Sequence, residues 1–344
     1  MSHGQSSGQI PRKVRLRHVI TGGAGFIGSH LADALTKRGE QVVIVDDLST
    51  GRIENIADLI DSGAVEFVRG SILDRDLVDE LLVGADRCYH LASAVGVQLI
   101  VDNPLRTMLQ NLHGMETVIT AAAEAKVRLM VASTSEIYGK SSMALAEDAD
   151  RVLGAPTKAR WTYANAKVSG EMLAYGYASE HGAENIVVRF FNTVGPRQQG
   201  LYGMVVPRFV RQALADQDVT VYGDGTQSRC FTHVDDSVAA ILGLIDCDEA
   251  IGRPFNVGCS TEVTIQELAK EVVQQVGSSS HIRHIPYEEA YGDGFEELGR
   301  RRPDTSRIEG LTGWQVRHTV EEAISDIIEH ERATAEPIVA QRLD

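Results

Sequence analysis

Three glycines spaced three residues apart, Gly22, Gly25 and Gly28 in His18–His30 (HVITGGAGFIGSH), restrict this chain more than any other stretch. His18–Thr21 before them reads as the end of a buried strand, and Leu31–Gly39 after them as a helix stopped by Gly39. The next apolar run, Val42–Val45, reads as a second strand and closes on Asp46 and Asp47. Strand, glycine turn, helix, strand and acid is the order that holds a dinucleotide. The glycines let the backbone approach a pyrophosphate at a helix N-terminus, and an acid about 20 residues on accepts from a ribose hydroxyl. The expected cofactor is therefore NAD, held by Gly22, Gly25, Phe26, Ile27 and Gly28 at the turn and by Asp46 and Asp47 at the ribose.

The same rhythm continues. Val65–Val68, Cys88–Leu91, Arg128–Ser133 and Ile186–Arg189 read as strands, with helical stretches at Leu73–Leu82, Asp102–Lys126 and from Tyr163 to His181. Alternation over about 190 residues means α/β, a Rossmann-type doubly wound parallel sheet. Ser49, Thr50 and Gly51 then belong to a loop over the cofactor. Ser71 and Ile72 fall at the adenine end, and Leu91, Ala92 and Ser93 on the nicotinamide side. After Phe190 the pattern breaks into turns, the helices Val205–Leu214, His233–Ile245 and Thr264–Val276, and the short strands Val219–Tyr222, Phe255–Val257 and His281–Pro286. Thr264 and Glu267 are spaced as a capping box. The expected division is a disordered tail over 1–14, an NAD-binding domain over 15–191 with about 229–250 folding back onto it, and a smaller C-terminal α/β substrate-binding lobe formed mainly by 192–228 and 251–344, with one or two elements folding back on the large domain. A cleft between the lobes is the natural substrate site.

Charge and cysteine content narrow the partners. With a net charge of -15 and no broad Lys/Arg patch, nucleic acid is not expected. Cys88, Cys230, Cys247 and Cys259 are scattered and match no metal or disulfide framework, which suits a reducing, cytoplasmic setting without a bound metal. No run of 18 apolar residues is present and Met1–Pro11 lacks the apolar segment of a signal peptide, so no membrane partner is expected.

A second cluster carries the chemistry. Tyr163 and Lys167 lie four apart and share a helix face. Ser133-Thr134-Ser135-Glu136 follows a strand end, where an open α/β sheet places its reactive groups. A tyrosine–lysine pair by itself is more often an exposed helical pair. Behind a nucleotide fingerprint and a Ser-Thr-rich strand end it reads as catalytic. The Lys167 ammonium is expected to lower the Tyr163 pKa until the phenol can serve as a base. Thr134, with Ser133 beside it, would orient a substrate hydroxyl, and the assembly would take a proton from an alcohol whose carbon gives hydride to NAD.

Together these features resemble the extended short-chain dehydrogenase/reductase family of nucleotide-sugar epimerases, dehydratases and decarboxylases. The likeness runs from Val19 to about Ala323. It rests on TGGAGFIGSH, Asp46-Asp47, Ser133–Gly139, Tyr163 with Lys167, Arg189-Phe190-Phe191-Asn192 with Gly195-Pro196-Arg197, Val221-Tyr222-Gly223-Asp224-Gly225 and Arg301-Arg302-Pro303-Asp304. The resemblance implies that NAD stays bound and is recycled, and that the substrate is a nucleoside diphosphate sugar, here a UDP-sugar. It also implies that Asn192 and Arg229 touch the diphosphate, that Val206 and Pro207 line the base and that Tyr222 lies beside it. Two long helices, about 102–125 and 161–181, would bundle into a homodimer.

The segment ASTSEIYG and the run Arg160-Trp161-Thr162-Tyr163 resemble the decarboxylases that act on UDP-glucuronate. On that likeness Glu136 assists decarboxylation, and Arg301 near C5 serves as acid or as charge support for the enolate left by CO2. The expected activity is NAD-dependent decarboxylation of UDP-glucuronate through a C4-keto intermediate to UDP-4-keto-pentose or UDP-xylose. The helix, however, reads TYANAKVSGE, without the Asp-Glu-Gly-Lys-Arg of the usual decarboxylase, and Tyr291–Asp304 looks more like epimerase-type relatives. The alternative is a UDP-sugar (uronate) C4-epimerase using the same Thr134, Tyr163 and Lys167. A 4,6-dehydratase is disfavoured because Ser135 stands where its general acid belongs, and a catalytically silent NAD-binding protein because Tyr163 and Lys167 are both present. The sequence shows no dedicated clamp for a sugar carboxylate.

Overall fold

Side chains alternate in direction along a strand, so a strand that is apolar at successive positions must be covered on both faces. The computed structural model, which describes residues 15–96, 102–141, 145–200, 204–291 and 301–334, meets that demand. The expected tail over 1–14 lies outside these residues. In chain order β1 (Arg17–Thr21), α1 (Phe26–Lys37), β2 (Gln41–Asp46), α2 (Ala57–Asp61), β3 (Val65–Arg69), α3 (Arg75–Leu82), β4 (Arg87–His90), α4 (Pro104–Ala125), β5 (Arg128–Thr134), α5 (Thr162–His181) and β6 (Asn185–Phe190) alternate without interruption. Then come β7 (Thr193–Val194), α6 (Val205–Leu214), β8 (Val219–Tyr222), β9 (Ser228–Cys230), β10 (Thr232–His233), α7 (Val234–Ile245) and β11 (Pro254–Val257). The chain continues with β12 (Glu262–Thr264), α8 (Ile265–Val276), β13 (Ile282–Ile285), α9 (Tyr287–Tyr291), α10 (Ser306–Thr312) and α11 (Val320–Thr334).

Seven strands form a parallel sheet in the order β11-β6-β5-β4-β1-β2-β3. Val19, Val43, Val45, Leu129, Val131 and Val187 pack on one face with Val78 and Leu81 of α3, Met115 and Val118 of α4 and Ala174 of α5. Their strand neighbours Ile20, Ile44, Met130, Ile186 and Val188 face the other way, onto Leu31 and Leu35 of α1 and Val238 and Ile241 of α7. Helix α1 begins at Phe26 rather than Leu31, because Gly25, in extended conformation, is its N-cap and turns the chain directly into the helix.

One strand lies outside the lobe that residues 251–344 are expected mainly to form. The short strand expected at Phe255–Val257 is β11, which pairs with β6 at the edge of the large sheet, and Ile308 and Trp314 join the same core. The physical reason is coverage: β11 satisfies the β6 edge and brings the fully buried Phe255 and Val257 with it. The smaller lobe pairs β8 with β13 and β9 with β12, and packs α6, α8 and α11 around Val206, Phe209, Val221, Leu268, Val272 and Ile324. Both bonds of the Thr264–Glu267 capping box are formed. Strand order reverses beside β1, between β2 and β4. The crevice above the C-terminal strand ends at such a reversal is where this architecture binds ligands.

Candidate active site

The crevice is a cavity of about 620 Å3. Of the residues expected to hold cofactor or substrate, all line it except Gly51 and Pro207. Gly51 instead presses on Asp46, where a Cβ would lie 2.8 Å from both carboxylate oxygens. Pro207 is part of the buried face of α6.

Close packing explains the glycines at the cofactor end. Gly22 has a left-handed φ of 72°, and a Cβ there would meet the Ala92 nitrogen at 2.6 Å. A Cβ on Gly28 would stand 2.3 Å from the Gly22 carbonyl oxygen. Both keep β1, β4 and the start of α1 in contact. No side chain caps α1, and Gly25–Gly28 line the cavity, so the helix N-terminus faces it with its first N–H groups. Asp46 accepts from Ala24 N at 3.0 Å and from Leu48 N at 2.9 Å. Burial raises its pKa, against those two hydrogen bonds. It thus ties the glycine turn to the following loop and also offers oxygen to the cavity. An N-terminus for a pyrophosphate and an acid pair for a ribose fit NAD.

The Tyr163 environment corrects one expectation. Its phenol is pushed above its ordinary pKa, first by burial and then by Glu136, while hydrogen bonds with Ser93 and Thr134 and the charge of Arg160 pull the other way. Lys167 donates to Ala132 O at 3.0 Å and lies 5.9 Å from the Tyr163 ring centre. Burial lowers the Lys167 pKa to about 8. Desolvation sets the direction for the phenol, and burial also weakens the charge of the lysine that was expected to oppose it. Thr134 Oγ1 accepts from Glu136 N at 3.2 Å, which fixes its rotamer beside the phenol. Ser133 has a further role. It lines the cavity, but its hydroxyl donates to Glu171 within the buried Glu171–Arg189 pair and so also braces the core. Ser93 donates to Asn111 Oδ1 at 2.8 Å, and Asn111 clamps both the N–H and the C=O of Ala94 at 2.9 Å. Asn111 is not among the residues expected from the sequence, where its one signal is a polar residue on the buried side of α4.

Beside Tyr163 in the same cavity lies a group of charges. Glu136 sits in the short turn Ser135–Tyr138 that follows β5, and Arg160 in the turn Ala159–Trp161 that precedes α5. Arg160 grips Glu136 with both terminal nitrogens, at 2.6 and 3.0 Å. Arg301 Nη1 stands 3.6 Å from the same carboxylate. Burial opposes ionisation of Glu136, but Arg160 first, then Arg301 and Arg229, hold its carboxyl below the usual carboxylate range. Arg301 reaches this place because its segment is stitched to Leu145: Leu145 N donates to Arg302 O at 3.0 Å and Asp304 N to Leu145 O at 3.1 Å. Asn192 donates to Cys230 O at 2.9 Å, and Arg229 to Ser228 O at 2.7 Å, placing both side chains on the cavity wall. Farther along, the Arg208 guanidinium lies 4.0 Å over the Tyr222 ring, a stack between residues too far apart in the chain for their spacing to reveal.

Outside the cavity, His233, Asp235 and His318 bring donor atoms within 4.8 Å of one another. His233 Nδ1 accepts from Asp235 N at 3.1 Å, and His318 Nδ1 meets Asp236 at 3.0 Å. These rings cap and brace the start of α7.

The profile of the NAD dependent epimerase/dehydratase family matches residues 18–258. The UDP-N-acetyl-alpha-D-glucosaminuronate decarboxylase of Bacillus cytotoxicus is 40% identical over 317 residues, covering 92% of this chain and 98% of its own. The UDP-glucuronic acid decarboxylase 1 of Danio rerio is 36% identical over 321 residues, covering 93% of this chain and 74% of its own. A solved variant of the UDP-glucuronic acid 4-epimerase from Bacillus cereus, in complex with UDP-4-deoxy-4-fluoro-glucuronic acid and NAD, has a TM-score of 0.82 at 26% identity, covering 92% of this chain and 99% of that one.

Proposed function

The chain belongs to the NAD dependent epimerase/dehydratase family, and within it we propose that the chain decarboxylates a UDP-hexuronate through a C4-keto sugar. The substrate is UDP-glucuronate or its 2-acetamido counterpart, and the product a UDP-4-keto-pentose or, after reduction, UDP-xylose or its 2-acetamido counterpart. The observation that carries the reading is Arg301, held 3.6 Å from Glu136 in the cavity that Thr134 and Tyr163 also line. Such a cation can stabilise the enolate that loss of CO2 leaves at C5, a charge that inversion at C4 does not develop.

NAD supplies reversible hydride acceptance at C4. Gly22, Gly25, Phe26, Ile27 and Gly28 cradle its pyrophosphate, Asp46 and Asp47 its ribose, Ser49, Thr50, Ser71 and Ile72 its adenosine half, and Leu91, Ala92 and Ser93 its other end. Asn192 and Arg229 take the substrate diphosphate, and Val206 and Tyr222 the base. Thr134 orients the C4 hydroxyl, Tyr163 removes its proton, and Lys167 supports the phenolate. With C4 oxidised, the carboxylate on C5 is β to a carbonyl. The C5–C6 bond then breaks, CO2 leaves, and the electron pair becomes an enolate that Arg301 stabilises until C5 is protonated. Glu136, held ionised, orients Arg301 rather than acting as an acid.

The test is incubation with UDP-glucuronate and with UDP-N-acetylglucosaminuronate, following CO2 and the product sugar. Gas and a pentose from either one support the reading. UDP-galacturonate or its 2-acetamido counterpart without gas establishes the C4-epimerase instead. Leu105 and Leu109 of α4 and Met172 of α5 are exposed at 70%, 43% and 63%, and the two helices pack together, which supports a homodimer bundled through them. No helix among the described residues is long and apolar enough to cross a membrane. A cytoplasmic setting is part of the same proposal.

A further inference from the structure

The steps above give Arg160 no contact with the substrate; its charge favours the Tyr163 phenolate, and its guanidinium grips Glu136. The side chains of both are largely buried, at 7% and 14% exposure, and the fork uses both oxygens of the acid. That geometry has a consequence for charge. Glu136 and Arg160 cancel, so the net positive charge near Glu136 comes from Arg301, 3.6 Å away, with a smaller share from Arg229 on the same wall. Without Arg160, a substrate carboxylate entering here would meet a second carboxylate that has lost its bidentate partner, with Arg301 and the weaker influence of Arg229 to serve both. Two acids crowded in this way in a water-poor site favour uptake of a proton by one of them.

We propose that Arg160 is the specificity-determining residue for the sugar carboxylate: by neutralising Glu136 it lets a uronate, in its ionised form, lie against Arg301, and so selects hexuronates over neutral hexoses. This rests on the UDP-hexuronate reading and supplies the clamp that the sequence did not reveal. It also matters for the chemistry, because the C5–C6 electron pair is released from a carboxylate and not from a carboxylic acid. Arg160 acts through Glu136, so its effect depends on the charge of that partner.

The experiment measures equilibrium binding to the NAD-loaded Tyr163→Phe protein, in which turnover is blocked. The ligands are UDP, UDP-glucose and UDP-glucuronate, or UDP-N-acetylglucosamine with its uronate if that is the better pair. Adding Arg160→Gln is expected to weaken uronate binding about 10- to 100-fold at pH 8 while leaving UDP and the neutral sugar within about threefold. The deficit should shrink towards pH 6, as one of the two acids takes up a proton. Adding Glu136→Gln to Arg160→Gln should return uronate binding to within about threefold of the parent, because the repelling charge is gone. Arg160→Lys should fall between, keeping the charge and losing the fork. Equal losses for all three ligands, or a double variant no better than Arg160→Gln alone, overturn the proposal. A parent that binds the uronate no more tightly than the neutral sugar overturns the uronate reading itself, and this inference with it.

Discussion

Tyr163 and Asp46 show how burial alters what a side chain can do. Tyr163 starts from a raised pKa, so its use as a base depends on neighbours that favour the phenolate: Ser93, Thr134 and Arg160. Replacing it with Phe removes one oxygen and leaves the packing. The Tyr163→Phe protein should therefore keep NAD through purification and lose turnover by about 10³-fold, within the range of general acid–base effects. Wild-type turnover in that variant would remove the assignment. Asp46 serves both the loop and the ribose. Asp46→Ala is expected to weaken NAD binding roughly 10- to 100-fold and also to lower the thermal midpoint, since two backbone N–H groups lose their acceptor. Loss of binding with an unchanged midpoint would confine Asp46 to the ribose. The acid, the tyrosine and the lysine were readable because each stands at a fixed spacing within one short motif. The direction of the Tyr163 shift was not, because it is set by how much water the surrounding chain excludes.

The strand–turn–helix unit is where sequence and structure agree most closely. Helix α1 can start at Phe26 only because Gly22 and Gly28 leave no Cβ between the turn and the sheet. Gly28→Ala would set a methyl 2.3 Å from the Gly22 carbonyl and push α1 away. We expect a stability loss of about 1–3 kcal/mol by urea denaturation, together with loss of bound NAD. A variant with full stability and cofactor would show that the turn has slack. The capping box at α8 and the long helices α4 and α5 were legible for the same reason, since their signals are local. Strand β11 shows the limit. Phe255–Val257 reads as a short strand, but nothing local says which sheet it joins, and pairing with β6 is settled by coverage of an edge far away in sequence.

Across the whole molecule, two buried histidines link stability to pH. Burial lowers His18 to about 4 and His90 to about 3. The unfolded chain binds protons at these sites from about pH 6.5 downward while the folded chain does not, so stability is full above that value and falls as the pH drops towards 4. The urea midpoint should therefore decline between pH 6.5 and 4.5, and His18→Gln should flatten the slope. A midpoint unchanged across that interval would mean that neither ring stays neutral in the fold. Assembly is tested at the same scale. Leu105→Asp combined with Leu109→Asp should convert a dimer into a monomer by light scattering, without altering the far-ultraviolet circular dichroism. A wild-type protein already monomeric at micromolar concentration would rule out the α4–α5 bundle.

The sequence alone determined the alternating sheet, the dinucleotide turn, the acid pair and the Tyr163–Lys167 face, because each is written in the spacing of residues close together in the chain. Only the tertiary structure decided that the Ser133 hydroxyl bonds to Glu171 and that β11 completes the large sheet. It also decided that Arg160 and Arg301 converge on Glu136. The first of those arginines sits one turn before α5, and the second arrives through the pairing of its segment with Leu145. Charges brought together in this way follow from how layers pack, and no pattern within a single segment records that.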